Sequence, residues 1–245
     1  MSFSTVAKSN PAINKSNTSA VYNKLKAGPM KRLYKYYTPN SINLAGGLPM
    51  NSTLPFESVV VNLPNNDSYQ VDRGTTLAIN YQRGDGMPAL KEWINGHVKS
   101  VLKPVKEVSN CVTIGSTDGL FKILTLIECN SMLLDEYAYG HAMTTCETLG
   151  KKCIGIKIDE HGIIADELRK TVIEARAAGL SANLLYLIPS GHNPTGVTIS
   201  TQRKEEIYKV CQDLDIIIIE DGRSHYLENL FSQLCNLRCL LLPEL

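Results

Sequence analysis

The stretch IIIIED, residues 216–221, decides how this sequence is interpreted. Four consecutive isoleucines are typical of a strand that is buried on both faces, as the strands of parallel sheets are. The strand ends in two acids, Glu220 and Asp221, and a carboxylate next to a buried strand is costly unless it has a partner. We therefore expect Asp221 to face a metal, a lysine or a protonated heterocycle, or else to form a structural ion pair.

Outward from this stretch, short apolar strands alternate with amphipathic helices. Four earlier strands are predicted, and they read CVTIG (111–115), SMLLDE (131–136), CIGIKI (153–158) and NLLYLI (183–188). Helices are predicted between them from apolar residues at helical spacing, around 120–127, 140–150, 165–179 and 207–214. This alternation predicts an α/β fold with a mostly parallel sheet that is covered by helices on both faces.

The N-terminal part of the chain is less regular. Residues 1–45 are polar and irregular, and SNTSAVYNKLKAGPMKRLYKYYT (16–38) indicates a short basic helix or an arm. A Gly/Pro-rich loop, INLAGGLPMNSTLPF (42–56), overlaps the end of this part. A helix is predicted after Pro88, because apolar residues then recur at helical spacing.

Composition excludes several classes of protein. The chain has 245 residues, 43% of them hydrophobic and 20% charged, which are ordinary values for a globular protein with a core. A net charge of +1 gives no basic field for nucleic acid. The seven cysteines form no CxxC pair, so no zinc site is expected, and their odd number favours a reducing cytosol. Without an apolar leader or a run of about 18 apolar residues, we expect a soluble cytoplasmic protein with no membrane partner.

Polar residues follow two other predicted strands, at the edge where open α/β sheets bind ligands. In GSTDG (115–119), Ser116 and Thr117 stand at a helix start, where hydroxyl and free N–H groups suit an anion such as phosphate. An ordinary helix cap is the alternative. In PSGHNPTG (189–196), Asn193 either presents its amide over the sheet edge or belongs to a tight strand-to-helix connection.

These motifs, in their order along the chain, resemble a known family. The segments that carry the likeness are INLAGGLPMNSTLPF, INYQRGDGMPALKEW (79–93), GSTDG, DEYAYG (135–140), SGHNPTG and IIIIED. Together they are similar to the class I/II aminotransferases of fold type I, which depend on pyridoxal 5'-phosphate (PLP). Within that family the sequence looks most like the kynurenine/2-aminoadipate and the fungal aromatic aminotransferases, over about residues 25–221.

The resemblance implies a role for each of five cofactor-binding residues. Ser116 and Thr117 would hold the phosphate of PLP, although many relatives have glutamine in place of Thr117. Tyr139 would stack on the pyridine ring, and Asn193 would donate a hydrogen bond to the phenolic oxygen. Asp221 would pair with the protonated ring nitrogen, which keeps the ring an electron sink.

The resemblance also implies substrate residues, partners and a domain division. Gly47 would lie in the loop on the substrate side, and Tyr81 would reach the cofactor of a neighbouring subunit. An amino acid and a 2-oxo acid would be the substrates of a homodimer. Residues 1–100 would form an N-terminal arm and part of a small domain, and residues 101–245 an incomplete PLP-binding large domain with a divergent tail at 222–245.

The likeness stops after Asp221. Where the family continues with EDDPYYYL or a similar run, this chain reads EDGRSHYL (220–227), with Ser224 in place of a tyrosine. Relatives carry the lysine that binds PLP as a Schiff base beyond this point, but the last lysine here is Lys209, so no catalytic residue is assigned. We therefore expect a C-terminally truncated and inactive aminotransferase. The alternative is a non-catalytic protein that binds PLP or forms dimers.

Overall fold

The computed structural model describes residues 18–222, except 27, 34–35, 37, 39, 41, 43, 45–46, 48, 72–78 and 105–106. The first 17 residues of the predicted arm and the tail from residue 223 onward therefore lie outside the described residues. The chain divides into two compact units, which are residues 1–24 with 95–245 and residues 25–94.

Four of the five predicted strands are formed, and all four lie in the first unit. The helices of the described residues are α1 (Ala20–Lys24), α2 (Pro29–Leu33), α3 (Pro88–Leu102), α4 (Ser116–Leu126), α5 (Gly140–Thr148), α6 (Ala165–Ala177) and α7 (Thr201–Asp213). The strands are β1 (Val59–Asn62), β2 (Ser68–Val71), β3 (Ser131–Asp135), β4 (Lys152–Ile156), β5 (Ile158–Asp159), β6 (Gly162–Ile163), β7 (Leu184–Leu187) and β8 (Ile217–Glu220). The helix predicted after Pro88 is confirmed as α3.

Four of these strands form one parallel sheet in the order β4-β3-β7-β8. Its strands β3 and β7 are buried along their whole length, as their continuous apolar sequences predict. The α/β class and the parallel sheet are thus confirmed. Because all four strands run the same way, the carboxyl ends of β3, β7 and β8 lie side by side at one edge of the sheet.

The fifth predicted strand, CVTIG (111–115), is wrong. These residues have irregular backbone before α4, and the side chain of Ile114 is 96% exposed. The amide of Ile114 donates to Oδ2 of Asp118, at 3.2 Å, instead of to a sheet neighbour. A strand requires a pairing partner, and none of the described strands pairs with this segment.

Helices pack on both faces of the sheet, as predicted. One face is covered by α4 and α5 through a core cluster whose most buried members include Leu124, Met132, Ala142, Cys146 and Leu184. The other is covered by α6 and α7 through a cluster that includes Leu133, Leu168, Val172, Leu185 and Ile207. Neighbouring residues of one strand therefore belong to different clusters, because successive side chains point to opposite faces.

A short hairpin, β5–β6, is attached to the start of α7 by Arg203. The guanidinium of Arg203 lies 3.0 Å from Oδ2 of Asp159 and donates to the carbonyl of Ile163 at 2.9 Å. The hairpin turns through Gly162, whose φ is +93° and whose position allows no Cβ, since one would lie 2.8 Å from the side chain of Ile199.

The second unit contains an antiparallel hairpin that the sequence analysis does not predict. Strands β1 and β2 pair with Val59 opposite Val71, and the amide of Leu63 donates to the carbonyl of Asp67 at 2.8 Å. The turn places Asn66 at a φ of +64°, a conformation that asparagine tolerates. Every residue of β1 is exposed, so the hairpin has no alternation of buried and exposed residues that would reveal it.

Two absences hold for the described part of the chain. None of its helices combines the length and the apolar character needed to cross a membrane. Its His, Cys, Asp and Glu side chains form no group of three that could hold a metal ion.

We predict that Leu133→Ala lowers the free energy of unfolding by about 2–5 kcal/mol, because it leaves a cavity in the middle of the sheet. Leu133 is completely buried, on a strand that has a neighbour on each side. The control is Ile173→Ala on α6, whose side chain is 56% exposed and whose loss should change stability by less than about 0.5 kcal/mol. Urea denaturation measures both values, and equal losses would contradict the assigned core.

The Arg203–Asp159 pair predicts a dependence of stability on pH. The hydrogen bond from Arg203 holds the pKa of Asp159 below its ordinary value. A lowered folded-state pKa contributes stability that is fully present above the unfolded pKa and is lost as the pH falls through the folded-state value. Asp159→Asn should therefore cost about 1–2 kcal/mol at neutral pH and progressively less below about pH 4.

The measurement is urea denaturation of wild type and variant between neutral and acidic pH. The control is Glu167→Gln, because Glu167 lies 3.9 Å from a largely exposed Lys157 in a surface pair that should contribute little. A difference between wild type and Asp159→Asn that stays constant across this pH range would show that the ion pair is not its source.

Candidate functional site

The carboxyl ends of β7 and β8 bring a buried phenol to a carboxylate. The hydroxyl of Tyr186 donates to Oδ2 of Asp221 at 2.9 Å, and the amide of Asp221 continues the ladder by donating to the carbonyl of Leu187 at 2.9 Å. Burial, reinforced by the charge of Asp221, raises the pKa of Tyr186 well above its ordinary value. The phenol therefore stays protonated and donates to one of the two carboxylate oxygens of Asp221.

The two acids that end the isoleucine strand have different surroundings. Burial raises the pKa of the Glu220 carboxyl, and the ammonium of Lys204 on α7 opposes this shift. Lys204 is itself only 5% exposed. Glu220 therefore interacts with the helix layer of α6 and α7, whereas Asp221 contacts Tyr186, a member of the core cluster under α4 and α5. The contact observed at Asp221 is a hydrogen bond from Tyr186, and no ion pair of Asp221 is found among the described residues.

Ser116 and Thr117 are the first two residues of α4, and both side chains are exposed. The cap position belongs to Gly115, at a φ of +134°, and glycine has no side chain to accept from the first amides of the helix. Asp118 in the first turn does not take this role, since its carboxylate accepts from the amide of Ile114 and pairs with Lys122. The ordinary cap by Ser116 or Thr117 is thus not formed, and the helix start is open to an anion.

Tyr139 lies next to the Tyr186–Asp221 pair. It precedes α5, is half-buried and packs against the same core cluster as Tyr186. The proximity of Tyr139 is one of the influences that raise the pKa of Tyr186, after burial and Asp221. Its ring also stacks on that of His141, with 5.3 Å between centroids and 22° between planes.

Asn193 is exposed in the loop that leaves β7, next to a cis peptide bond with Pro194. The loop is closed by backbone hydrogen bonds from His192 to Val197 at 2.8 Å and from Ile199 to Pro189 at 2.9 Å. These hydrogen bonds close the loop on itself before α7 begins, and Asn193 is exposed within it.

Gly47 and Tyr81 belong to the second unit, where one hydrogen bond links their segments. Asn80, which precedes Tyr81, donates through Nδ2 to the carbonyl of Pro49 at 3.1 Å. Its Oδ1 accepts from the amide of Tyr81 at 2.8 Å. The side chain of Tyr81 is 78% exposed, and a Cβ at Gly47 would meet no atom within 4 Å. The segments that carry both substrate-side candidates are therefore joined within their own unit.

Three residues of the first unit's edge were missed by sequence reasoning. They are Tyr186, which holds Asp221, and Asp135 and His192, which pair with each other below the loop of Asn193. Tyr186 and Asp135 interrupt or end apolar strands, and such a polar group in a buried strand is a signal that could have identified them. His192 gives no such signal, because it stands in a loop where polar residues are expected.

The candidate residues comprise a helix start without a side-chain cap, a half-buried aromatic ring, an exposed asparagine and a carboxylate that accepts a hydrogen bond. A helix start suits a phosphate, and a carboxylate suits a cationic or protonated group. The arrangement is chemically suited to a ligand that carries an anion at one end and a protonated nitrogen at the other.

Comparisons of the sequence with a family model and with known proteins point to the same family. Residues 39–222 match the family "Aminotransferase class I and II". The chain is 29% identical over 204 residues to the mitochondrial kynurenine/alpha-aminoadipate aminotransferase of Bos taurus, which covers 76% of this chain and 48% of the relative. It is 29% identical over 228 residues to an aromatic amino acid aminotransferase of Schizosaccharomyces pombe, which covers 82% and 48%.

A solved structure has the same fold. The aminotransferase Aro8 from Candida albicans superposes with a TM-score of 0.75 at 26% identity, over 84% of this chain and 48% of that one. The chain therefore spans about half the length of the relatives that it matches.

We predict that Tyr186→Phe lowers the free energy of unfolding by about 1.5–3 kcal/mol, the usual contribution of a hydrogen bond to a charged group. In a double-mutant cycle with Asp221→Ala, most of this loss should vanish, since the hydroxyl then has no carboxylate to bind. Tyr208→Phe on α7, on the other face of the sheet, is the matched control. Additive effects of Tyr186→Phe and Asp221→Ala would rule out the contact as a source of stability.

Proposed function

The chain belongs to the class I and II aminotransferase family, and from this premise we propose that the edge formed by α4, β7 and β8 binds PLP. We further propose that the protein transfers an amino group to a 2-oxo acid, with an aromatic amino acid, kynurenine or 2-aminoadipate as donor. The observation that carries the proposal is the Tyr186–Asp221 hydrogen bond, which fixes a carboxylate at the edge of the sheet where the family binds its cofactor.

The residues present fit the phosphate of PLP. The first amides of α4 have no side-chain cap, and the exposed hydroxyls of Ser116 and Thr117 add two donors at the same place. A dianionic phosphate would satisfy these groups and would be stabilised further by the helix dipole. Many relatives have glutamine at the position of Thr117, so the donor in this chain is a hydroxyl on a shorter side chain.

The residues also fit the pyridine ring. Asp221 would accept a hydrogen bond from the protonated ring nitrogen, Tyr139 would cover one face of the ring, and Asn193 would donate to the phenolic oxygen. Tyr186 would support this arrangement, because it donates to one oxygen of Asp221 and so orients the carboxylate. When bound, PLP supplies an electron sink for the negative charge that develops at the substrate α-carbon.

The printed names of the relatives support the proposed donors. They describe enzymes for kynurenine and alpha-aminoadipate, for aromatic amino acids, and for L-tyrosine with 2-oxoglutarate. We assign Gly47 and Tyr81 to the substrate side, with Tyr81 acting towards a second subunit of a homodimer. We propose that the protein is cytoplasmic. A mitochondrial location, as printed in the name of a relative, is the alternative.

The positions of the lysines support a second candidate function, which is PLP binding without catalysis. The family lysine that bonds covalently to PLP follows the acidic strand, but the last lysine of these 245 residues is Lys209. Lys209 lies on α7, 75% exposed, and its ammonium is 3.7 Å from Asp213. The 245-residue chain would therefore bind PLP through non-covalent contacts alone and would be catalytically inactive in this form.

An absorbance titration with PLP tests the proposed site. Wild type should bind PLP, and Asp221→Ala should weaken binding by about 10- to 100-fold, the equivalent of one charge-assisted hydrogen bond. The control is Asp213→Ala, which removes a carboxylate from the surface of α7 and should leave the affinity unchanged. Equal affinities of the three proteins, or no binding by wild type, would contradict the site.

Borohydride reduction followed by peptide mapping distinguishes the two candidate functions. A non-covalent complex should give no stoichiometric PLP adduct on any single lysine. It should also show no transamination of kynurenine, 2-aminoadipate or tyrosine with 2-oxoglutarate. A specific adduct together with turnover would establish the catalytic function for this chain and reject the non-catalytic one.

A further inference from the structure

His192 is a deeply buried residue of the loop that carries Asn193. Its side chain is 5% exposed, and that of Asp135 at the end of β3 is 4% exposed. The imidazole Nε2 lies 3.3 Å from Oδ2 of Asp135. A histidine and a carboxyl group that are both this deeply buried are stable only when they satisfy each other's hydrogen-bonding groups.

The second nitrogen of the ring is also engaged. Nδ1 of His192 lies 2.8 Å from Oγ1 of Thr195. The carboxylate of Asp135 can only accept a hydrogen bond, so a proton on Nε2 suits this contact, and Nδ1 would then accept from the hydroxyl of Thr195. Partners at both nitrogens fix the position of the imidazole and the direction of its plane.

The contacts of His192 bracket Asn193 on both sides. Asn193 follows His192 directly, and Thr195 lies two residues further on, after Pro194. The amide of Gly196 donates to the carbonyl of His192 at 2.6 Å, so the tip of the loop closes on the same residue. The backbone of Asn193 is therefore held through the imidazole, which is anchored to a different strand of the sheet.

Asp135 connects this loop to the second candidate ring contact. It ends β3 and begins the segment DEYAYG, which reaches Tyr139 four residues later. Since β3 and β7 are neighbours in the sheet, the Asp135–His192 contact joins the segment of Tyr139 to the segment of Asn193.

We propose that Asp135, His192 and Thr195 form a positioning relay that sets the spacing between Tyr139 and Asn193, and so shapes the site for the PLP ring. The inference rests on the proposed function for its ligand. The three residues act through Asn193 and Tyr139, which makes them positioning residues and not catalytic ones.

Two pairs of variants test the relay by PLP titration and by the visible circular dichroism of bound PLP. Thr195→Val removes the hydroxyl and should weaken PLP binding by about 3- to 10-fold, whereas Thr195→Ser keeps the hydroxyl and the affinity. Asp135→Ala should weaken binding by about 10-fold or more, whereas Asp135→Asn keeps an acceptor oxygen and most of the affinity. The dichroism should fall with the affinity, because it reports on a ring held in one orientation.

Val172→Ala is the control for a general loss of stability. Val172 is fully buried on α6, in the core cluster on one face of the sheet, so the variant should unfold more easily and bind PLP as wild type does. If Thr195→Val also unfolds more easily but binds PLP as wild type does, the relay contributes only to stability and the proposal is overturned.

Amide hydrogen exchange keeps the inference separate from the proposed function. In the absence of PLP, Thr195→Val and Asp135→Ala should speed exchange at the amides of His192 and Gly196, whose hydrogen bonds close the loop. Unchanged exchange would overturn the relay whether or not PLP binds. If wild type fails to bind PLP but exchange is faster in the variants, the proposed function is rejected and the ordering of the loop by the relay is upheld.

Discussion

The requirement that a buried carboxyl group has a partner organises the carboxyl edge of the sheet. Parallel strands β3 and β8 each end in acids that the surrounding apolar layers would otherwise make unstable. Two contacts meet this requirement, which are that of Tyr186 with Asp221 and that of His192 with Asp135. Glu220 is half-buried, and the charge of Lys204 opposes the rise in its pKa that burial causes. Each contact joins the end of one element to another, so the partners of the acids also fix the geometry of the loops above the sheet.

Successive side chains of a strand point to opposite faces of the sheet, so the two acids at the end of β8 have different surroundings. In β8, Ile217 and Ile219 contact the core under α4 and α5, whereas Ile218 packs on the side of α6 and α7. Glu220 and Asp221 continue this alternation, and so the charge of Lys204 on α7 acts on the pKa of Glu220, whereas Asp221 accepts a hydrogen bond from Tyr186 on β7. A single insertion in the isoleucine run would exchange the two environments.

The sequence predicts the sheet well because its strands are continuous apolar runs with long helices between them. It fails at CVTIG (111–115), since apolar character alone does not reveal whether a strand has a neighbour. It also fails at the β1–β2 hairpin, whose exposed valines lack alternation. Among the candidate site residues, Asp221 stands out because it follows a buried strand and Ser116 because it begins a helix, and the family resemblance adds Tyr139 and Asn193. The contact of His192 with Asp135 joins residues far apart in the chain, which no local pattern records.

The strand order has a consequence for how the chain folds while it is being synthesised on the ribosome. Strand β3 pairs with β4 after a short helical crossover, but its other edge must wait for β7, about fifty residues later in the chain. During that interval a largely apolar strand has an unpaired edge, which is a condition that favours association with other chains. Asp135, at the end of this strand, is then without its contact to His192. A carboxylate at the end of an unpaired edge disfavours pairing with a strand of another chain.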